Sequence, residues 1–277
     1  MAATEKRPPR VILCTSGGLF GGLVLQRLLA SPQLVVVGII KSTRVLHPEQ
    51  GWFRGVFDLL HRCGARYTLY LGCATGLVDS LGRWAGLPPV ERAARLRDLP
   101  VLATPDLNRA AGLDFVDRQR PDLLVSAFFN QRIGEQLCAV PPGGAVNIHP
   151  SLLPDFKGVD PLFHARLSGA ERLGVSVHRV TPELDAGGLL AQIEVPLDSA
   201  ASLLAGTALL FDNGARLLLD CLPEILQGAA GQPQPPGGSY DSWPTPAKVR
   251  QFRRDGNRLM RLDDLRLLRP GGLRESV

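Results

Sequence analysis

The 277-residue sequence predicts an α/β fold: a mostly parallel, twisted sheet flanked by helices. Three observations point to it. Short, β-rich apolar runs alternate with stretches at helical spacing through the first half of the chain. The runs are apolar throughout, as strands buried on both faces are. Glycine, proline and polar residues cluster where the runs end, as turns require.

In order, "RVILCTS" (10–16) is the first strand, stopped by Gly17-Gly18, and "LFGGLVLQRLLAS" follows it as a helix. "LVVVGII" (34–40) is the second strand, and "PVLATPDL" holds the third. "LNRAAGLDFVDRQR" reads as a helix, "PDLLVSA" (121–127) as the fourth strand and "GAVNI" as the fifth. The rhythm then changes. "GVSVHRVT" and "GLLAQIEV" lie either side of Asp185-Ala186-Gly187-Gly188, an added strand pair near the sheet's end. Residues 202–228 form a long amphipathic helix that closes the domain.

A main domain is therefore expected over 1–228, with 229–277 as a Pro/Gly-rich linker and short basic tail. "GAAGQPQPPGGSYDSWPTP" reads as a linker or as a strip lying on the domain. Leu259, Leu262, Leu265 and Leu268 recur at helical spacing in the tail. Between the second and third strands lie about sixty residues, where about four to six would suffice. This insert, about 44–90, reads as helices packed on the domain or facing a partner. Its charge-free run, Tyr67 to Val78, is too short to span a bilayer, and Arg66 and Asp79 flank it.

The formal charge is +5, and its distribution is uneven. Ala247 to Val277 holds nine Lys/Arg against four acids, which leaves 22 of each sign in the rest of the chain. A basic tail can meet phosphate; a solvated surface is the commoner reading. Five scattered cysteines show no Cys-x-x-Cys pair, and "MAATEKRPPR" lacks the apolar core of a secretory signal. A reduced, cytoplasmic setting with no metal site is expected.

The chemistry concentrates in "GGAVNIHPSLLPDFKGVDPLFHA" (143–165). Asn147 and His149 lie two apart at the end of a buried strand, so both point to one face. In an open α/β sheet, ligands sit at the strands' carboxyl ends. An amide and an imidazole together suit a developing oxyanion, and a carboxylate is needed to orient the histidine. Asp185 is the nominee. Each residue also has an ordinary role: a structural amide, a satisfied histidine, a hairpin turn. Spacing alone leaves both readings open.

"NIHPSLLPDFKG" followed by "GVSVHRVTPELDAGGLLAQ" resembles the formyltransferases that use 10-formyltetrahydrofolate. That family includes the glycinamide ribonucleotide, methionyl-tRNA and sugar-amine enzymes. The resemblance covers about Arg10 to Gly228 and is strongest from Pro121 to Gln192. It implies a Rossmann-related fold with Asn147, His149 and Asp185 as the catalytic trio. It places the folate pocket on Phe128, Phe129, Asn130, Gln131, Arg132 and Ile133 with the turn from Thr181 through Glu183 to Asp185, read largely by backbone groups. Ser151 would cap the following loop and touch substrate, and Ser16, Gly17 and Gly18 correspond to a phosphate-holding loop in the purine enzyme. "CTSGGLFGG" lacks the Gly-x-Gly-x-x-Gly spacing, and Lys41 and Arg44 stand where a dinucleotide site needs an acid, so dinucleotide binding is not expected.

The site loop is closer to the purine enzyme, yet the insert is foreign to it. The tail is short for the tRNA enzyme's extra domain, while "SYDSWPTP" resembles the segment joining the domains of the tRNA and sugar enzymes. A small-molecule or carrier-borne amine is the expected acceptor, with tRNA less favoured, and the insert or tail could mediate self-association. The alternatives are a formyltetrahydrofolate hydrolase and a catalytically silent scaffold on the same fold. Of the remaining residues, His164 is expected on a helix, His178 on a solvent face, and His47 and His61 without partners. Trp52, Trp84 and Trp243 are expected as packing anchors.

Overall fold

Strand β1 (Arg10–Thr15) is apolar on both sides, and a sheet grows from it in both directions. The computed structural model describes residues 7–49, 51–77 and 90–268. β2 (Val35–Ser42) and β3 (Val101–Thr104) add on one side of β1, and β4 (Leu123–Ala127) and β5 (Ala145–His149) on the other, all parallel. β7 (Gly174–Arg179) joins β5 antiparallel, and β8 (Leu189–Glu194) joins β7 antiparallel. The seven-stranded order is β3-β2-β1-β4-β5-β7-β8. A separate two-stranded ladder pairs β6 (Lys157–Gly158) with β9 (Tyr240–Asp241). The expected α/β architecture and the added strand pair are both present.

Alternation along β1 divides the core. Val11 and Leu13 face α1 (Gly18–Ala30) and α8 (Leu203–Leu226), while Ile12 and Cys14 join a second cluster with Phe115 and Val116 of α5 (Ala110–Gln119). That second cluster also takes Leu137 of α6 (Glu135–Ala139) and reaches only Ala145 at the start of β5. From β5 onwards helices cover one face alone: Val146, Ile148, Val175 and Val177 pack towards α8. Gly214 lets α8 lie close, since a Cβ there would meet Ile148 Cγ2 at 2.3 Å. The opposite face of β5 and β7 is left to loops.

The insert contributes α2 (Trp52–Cys63), α3 (Ala65–Gly72) and a π-helical turn (Cys73–Leu77), followed after undescribed residues by α4 (Val90–Leu96). Part of the insert, including Trp84, lies outside the described residues, as does the Trp52 side chain. Tyr67 and Tyr70 are fully buried, while Phe53, Phe57, Leu60 and Leu69 are exposed. The His61 ring lies tilted against Phe57, with centroids 4.6 Å apart. Tyr67 also joins the insert to the domain: its hydroxyl donates to Asp160 Oδ2 at 2.7 Å. Asp160 directly precedes α7 (Pro161–Leu167), and burial pushes its carboxyl up to about 6, against the pull of the Tyr67 and Phe163 donors.

The tail packs on the domain. Phe252, on α9 (Pro246–Arg254), stacks on Phe163 at 4.5 Å, and Tyr67 meets Phe163 in a T-shaped contact at 5.8 Å. Tail carbonyls of Arg258 and Leu259 accept the first two N–H groups of α8, from Leu203 and Leu204, which a helix cannot satisfy itself. Ser202 caps the same helix by accepting from Ala205 N, and its hydroxyl donates to buried Asp264. The expected leucine stripe is replaced by a 3-10 segment (Leu262–Leu268) at three residues per turn. It exposes Leu262 and buries Leu267; the Leu265 and Leu268 side chains lie outside the described residues.

Two outcomes follow from this packing. Phe252→Ala should cost about 3–5 kcal/mol, read from denaturant midpoints, because it removes a fully buried ring stacked on Phe163. Asp160→Asn keeps an acceptor for Tyr67 and removes a carboxylate that burial disfavours. The folded chain binds its proton up to about 6 and the unfolded chain only to 3.8, so wild-type stability falls as pH rises through that window. The variant should therefore be the more stable protein near pH 7.5 and lose that advantage near pH 4, by chemical denaturation at both.

Candidate active site

The uncovered face of β5 and β7 carries the polar residues. Asn147 pairs across the ladder with His178, and His149 with Ser176, so four polar side chains share one side. Asn147 Nδ2 lies 3.1 Å from His178 Nε2, and His178 Nδ1 lies 2.8 Å from the Arg179 carbonyl. A carbonyl accepts only, so Nδ1 carries the proton and Nε2 accepts from Asn147. The amide orientation of Asn147 is thereby fixed, and its second N–H hydrogen has no partner among the described residues.

His149 Nε2 lies 3.0 Å from the Phe156 carbonyl and donates to it. The other ring nitrogen, Nδ1, lies 3.6 Å from Asp185 Oδ1, with the side chains 5% and 14% exposed. His178 Nε2 lies 3.7 Å from the same oxygen. Asp185 Oδ2 accepts the Gly158 N–H at 2.9 Å. Asp185 itself sits at φ 52°, a left-handed conformation that costs a non-glycine residue about 1–3 kcal/mol. The β7–β8 turn leaves beside Val146, yet Asp185 reaches His149, so the turn folds back over the polar face.

Burial, and then neighbouring His149, lower the His178 imidazole to about 4, with Asp185 opposing. His178 is therefore neutral at physiological pH. The expectation of a solvent face failed for a physical reason. β7 lies inside the sheet, and the non-α8 face is roofed by the 150–160 loop and the Asp185 turn. The signal was in the sequence: Ser176 and His178 alternate with Val175 and Val177, and only the apolar set could face a helix.

The other nominees divide. Ser151 is buried, and its hydroxyl donates to the Asp155 carbonyl at 2.7 Å, holding the loop. Gln131 is also committed: it accepts from Leu107 N and donates to Ser42 Oγ and the Thr104 carbonyl. Phe128, at φ 49°, packs on Phe20 at 4.9 Å, and Ile133 is in the core. Phe129 is half-buried against the second cluster. Asn130 donates to the Arg44 carbonyl, and exposed Arg132 offers its own carbonyl to Asn108. Thr181 and Glu183 are exposed, joined by a Thr181 Oγ1 bond to the Glu183 carbonyl.

Ser16 N donates to the Phe128 carbonyl at 2.7 Å and Ser16 Oγ accepts from Asn130 N. These bonds tie the loops after β1 and β4 together where the strand order reverses, the crevice in which open α/β sheets bind ligands. Gly17 closes the same loop and Gly18 opens α1; Lys41, ion-paired with Glu91, stands beside Gly17. His164 is buried on α7, with Nδ1 3.2 Å from Asp241 Oδ1 and Nε2 3.0 Å from the Ser242 carbonyl. Trp243 packs half-buried on the main core.

An amide and two imidazoles on one strand pair, with a carboxylate brought over them by the β7–β8 turn, form a cluster that can donate to a developing oxyanion and move a proton. Residues 88–218 match the family model described as "Formyl transferase". The methionyl-tRNA formyltransferase of Bacillus licheniformis is 35% identical over 142 residues, 51% of this chain and 45% of the relative. That of Thermotoga maritima is 31% identical over 145 residues, 52% and 44%. The chain thus spans less than half the length of these curated relatives. Glycinamide ribonucleotide transformylase 1 from Symbiobacterium toebii shares the fold at TM-score 0.54 and 18% identity, covering 80% of this chain and 89% of that one. A sugar N-formyltransferase from Shewanella sp FDAARGOS_354 does so at 0.53 and 16%, covering 84% and 76%. Residues 88–218 carry a domain of the formyltransferase family.

Acid should expose the buried imidazole's cost. The unfolded chain protonates His178 near 6.5 and the folded chain only near 4, so stability falls as pH drops through that window. His178→Gln should flatten that part of the curve, checked by denaturant midpoints at about pH 7 and pH 5.

Proposed function

We propose that the protein transfers a formyl group from 10-formyltetrahydrofolate to a primary amine, within a catalytic domain over about 1–228. The observation that carries this reading is the contact set Asn147–His178, His149–Asp185 and Asp185–Gly158, inside a domain of the formyltransferase family. The amine nitrogen attacks the formyl carbon, and the carbonyl electron pair moves onto oxygen. The free N–H of Asn147 donates to that oxyanion, and His149 adds a second donor by turning its Nε2–H from the Phe156 carbonyl to the oxyanion. Asp185 holds the His149 ring and, through water, takes the proton from the new ammonium. As the tetrahedral intermediate collapses, the bond to the folate nitrogen breaks and that nitrogen receives the proton.

The folate would lie along the loop 128–133 and the turn 181–185. The committed side chains of Phe128, Gln131 and Ile133 leave recognition there to backbone groups and to exposed Asn130, Arg132, Thr181 and Glu183. Ser16 and Gly17 spend their backbone N–H groups on the Phe128 carbonyl and Thr15 Oγ1, so contact with the acceptor there would fall to Gly18 N–H and the Ser16 hydroxyl, while Ser151 holds the intervening loop. No cluster of metal-holding residues occurs among the described residues, and the reading uses none. Nor is any described helix long and apolar enough to cross a membrane.

A small-molecule or carrier-borne amine is the acceptor we favour. The curated relatives favour aminoacyl-tRNA instead, and α9 exposes Lys248, Arg250, Arg253 and Arg254. Salt separates the two: a phosphate-gripping site loses tRNA affinity steeply as salt rises. Incubation with 10-formyltetrahydrofolate and pools of sugar nucleotides, glycinamide ribonucleotide and aminoacyl-tRNA, followed by mass spectrometry, should reveal one formylated amine. With that acceptor, His149→Ala and Asp185→Asn should each lower kcat about a hundredfold or more, with folate KM little changed. Turnover within a few-fold of wild type in both would refute the assignment.

A further inference from the structure

The Pro/Gly strip after α8 threads along the site loop and the Asp185 turn. Gln232 pairs with Leu189 at the start of β8, and two residues on Gln234 Nε2 donates to the carbonyls of Asp185 (2.8 Å) and Gly187 (2.9 Å). This orientation leaves Gln234 Oε1 buried with no partner among the described residues. The turn therefore takes both donors of one amide at the expense of its oxygen. Those two bonds clamp the left-handed turn that aims the Asp185 carboxylate.

Further along, the strip becomes β9 and pairs with the loop that holds the other groups. Lys157 N donates to the Ser239 carbonyl at 2.9 Å and Val159 N to the Asp241 carbonyl at 2.8 Å. Between them the Gly158 N–H points the other way and donates to Asp185 Oδ2. Successive N–H groups of an extended strand alternate sides, so the register of this short ladder decides which one meets Asp185. A slip of one residue would turn Gly158 N–H into the ladder and away from the carboxylate. Ser239 Oγ also accepts from Phe156 N, beside the carbonyl that receives His149. Gly158 permits the approach, since a Cβ there would meet the Asp241 carbonyl at 2.3 Å. On the far side, buried His164 holds Asp241 and the Ser242 carbonyl together.

We propose that residues 232–242 are a positioning strut for the site: Gln234 sets Asp185, the Ser239–Asp241 backbone sets Phe156 and Gly158, and His164 fixes the strut's register. The kinetic part rests on the formyl-transfer reading; the geometric part does not. Gln234→Glu keeps the shape and removes both donors, whereas Gln234→Lys keeps donors. Ring-nitrogen signals of His149 and His178 are recorded by NMR on the ligand-free full chain, alongside kcat and KM.

In Gln234→Glu both sets of ring signals should move while those of His61 stay, and kcat should fall about tenfold or more with KM within about twofold. Gln234→Lys should restore both. Should Gln234→Glu not fold, His164→Gln, which keeps a donor for Ser242 and loosens Asp241, makes the same comparison. Unchanged ring signals in a folded donor-less variant overturn the strut, whatever the reaction. Moved signals in a protein that formylates nothing uphold the strut and discard the reaction.

Discussion

The site depends on β5 having an antiparallel neighbour and only one helical layer. A further parallel strand would need a crossover, and its helix would cover the face that Asn147 and His149 use. β7 arrives through the 150–173 segment and a short helix, and sets His178 opposite Asn147 and Ser176 opposite His149. The α8 side takes Val146, Ile148, Val175 and Val177, and only Ala145, at the start of β5, faces the other way. Four polar groups are left facing loops, and loops can admit a ligand where helices cannot. The Asn147–His178 bond then settles a tautomer and an amide orientation at once, without a charge on either group.

The sheet was legible because β1, β2 and β4 are runs of mostly apolar residues, and glycine, proline and polar residues lie between the runs. Six of the seven strands of the main sheet fall within one or two residues of the expected spans, and β3 lies inside the window expected to hold it. Asn147, His149 and Asp185 were legible because two-residue spacing on a strand is geometry, and because the surrounding motif resembles a family. His178 was misjudged, since alternation says which residues share a side and not what covers that side. His164 was placed on a helix correctly, but its partners Asp241 and Ser242 lie more than seventy residues away and no local pattern announces them.

The segment after α8 was the least legible because its contribution is made by main-chain groups. Gly, Pro and Ser at high density mark a chain with no apolar periodicity, and such a chain reads as a linker. Here it forms a two-residue ladder and a side-chain clamp, and α9 and the 3-10 segment beyond it are stitched to the domain. Phe252 completes an aromatic stack with Phe163 and Tyr67, so the insert and the tail share one small core. The N-terminus of α8, the helix under the site, ends its unsatisfied N–H groups on tail carbonyls.

That last arrangement has a consequence for the order in which the protein becomes itself during synthesis. A ribosome exposes Asn147, His149 and Asp185 long before it exposes Arg258 and Leu259. Until those carbonyls emerge, the leading turn of the longest helix has only water or a chaperone to bond with. The nascent sheet would thus hold Asn147, His149 and Asp185 with the first turn of α8 frayed until the tail docks.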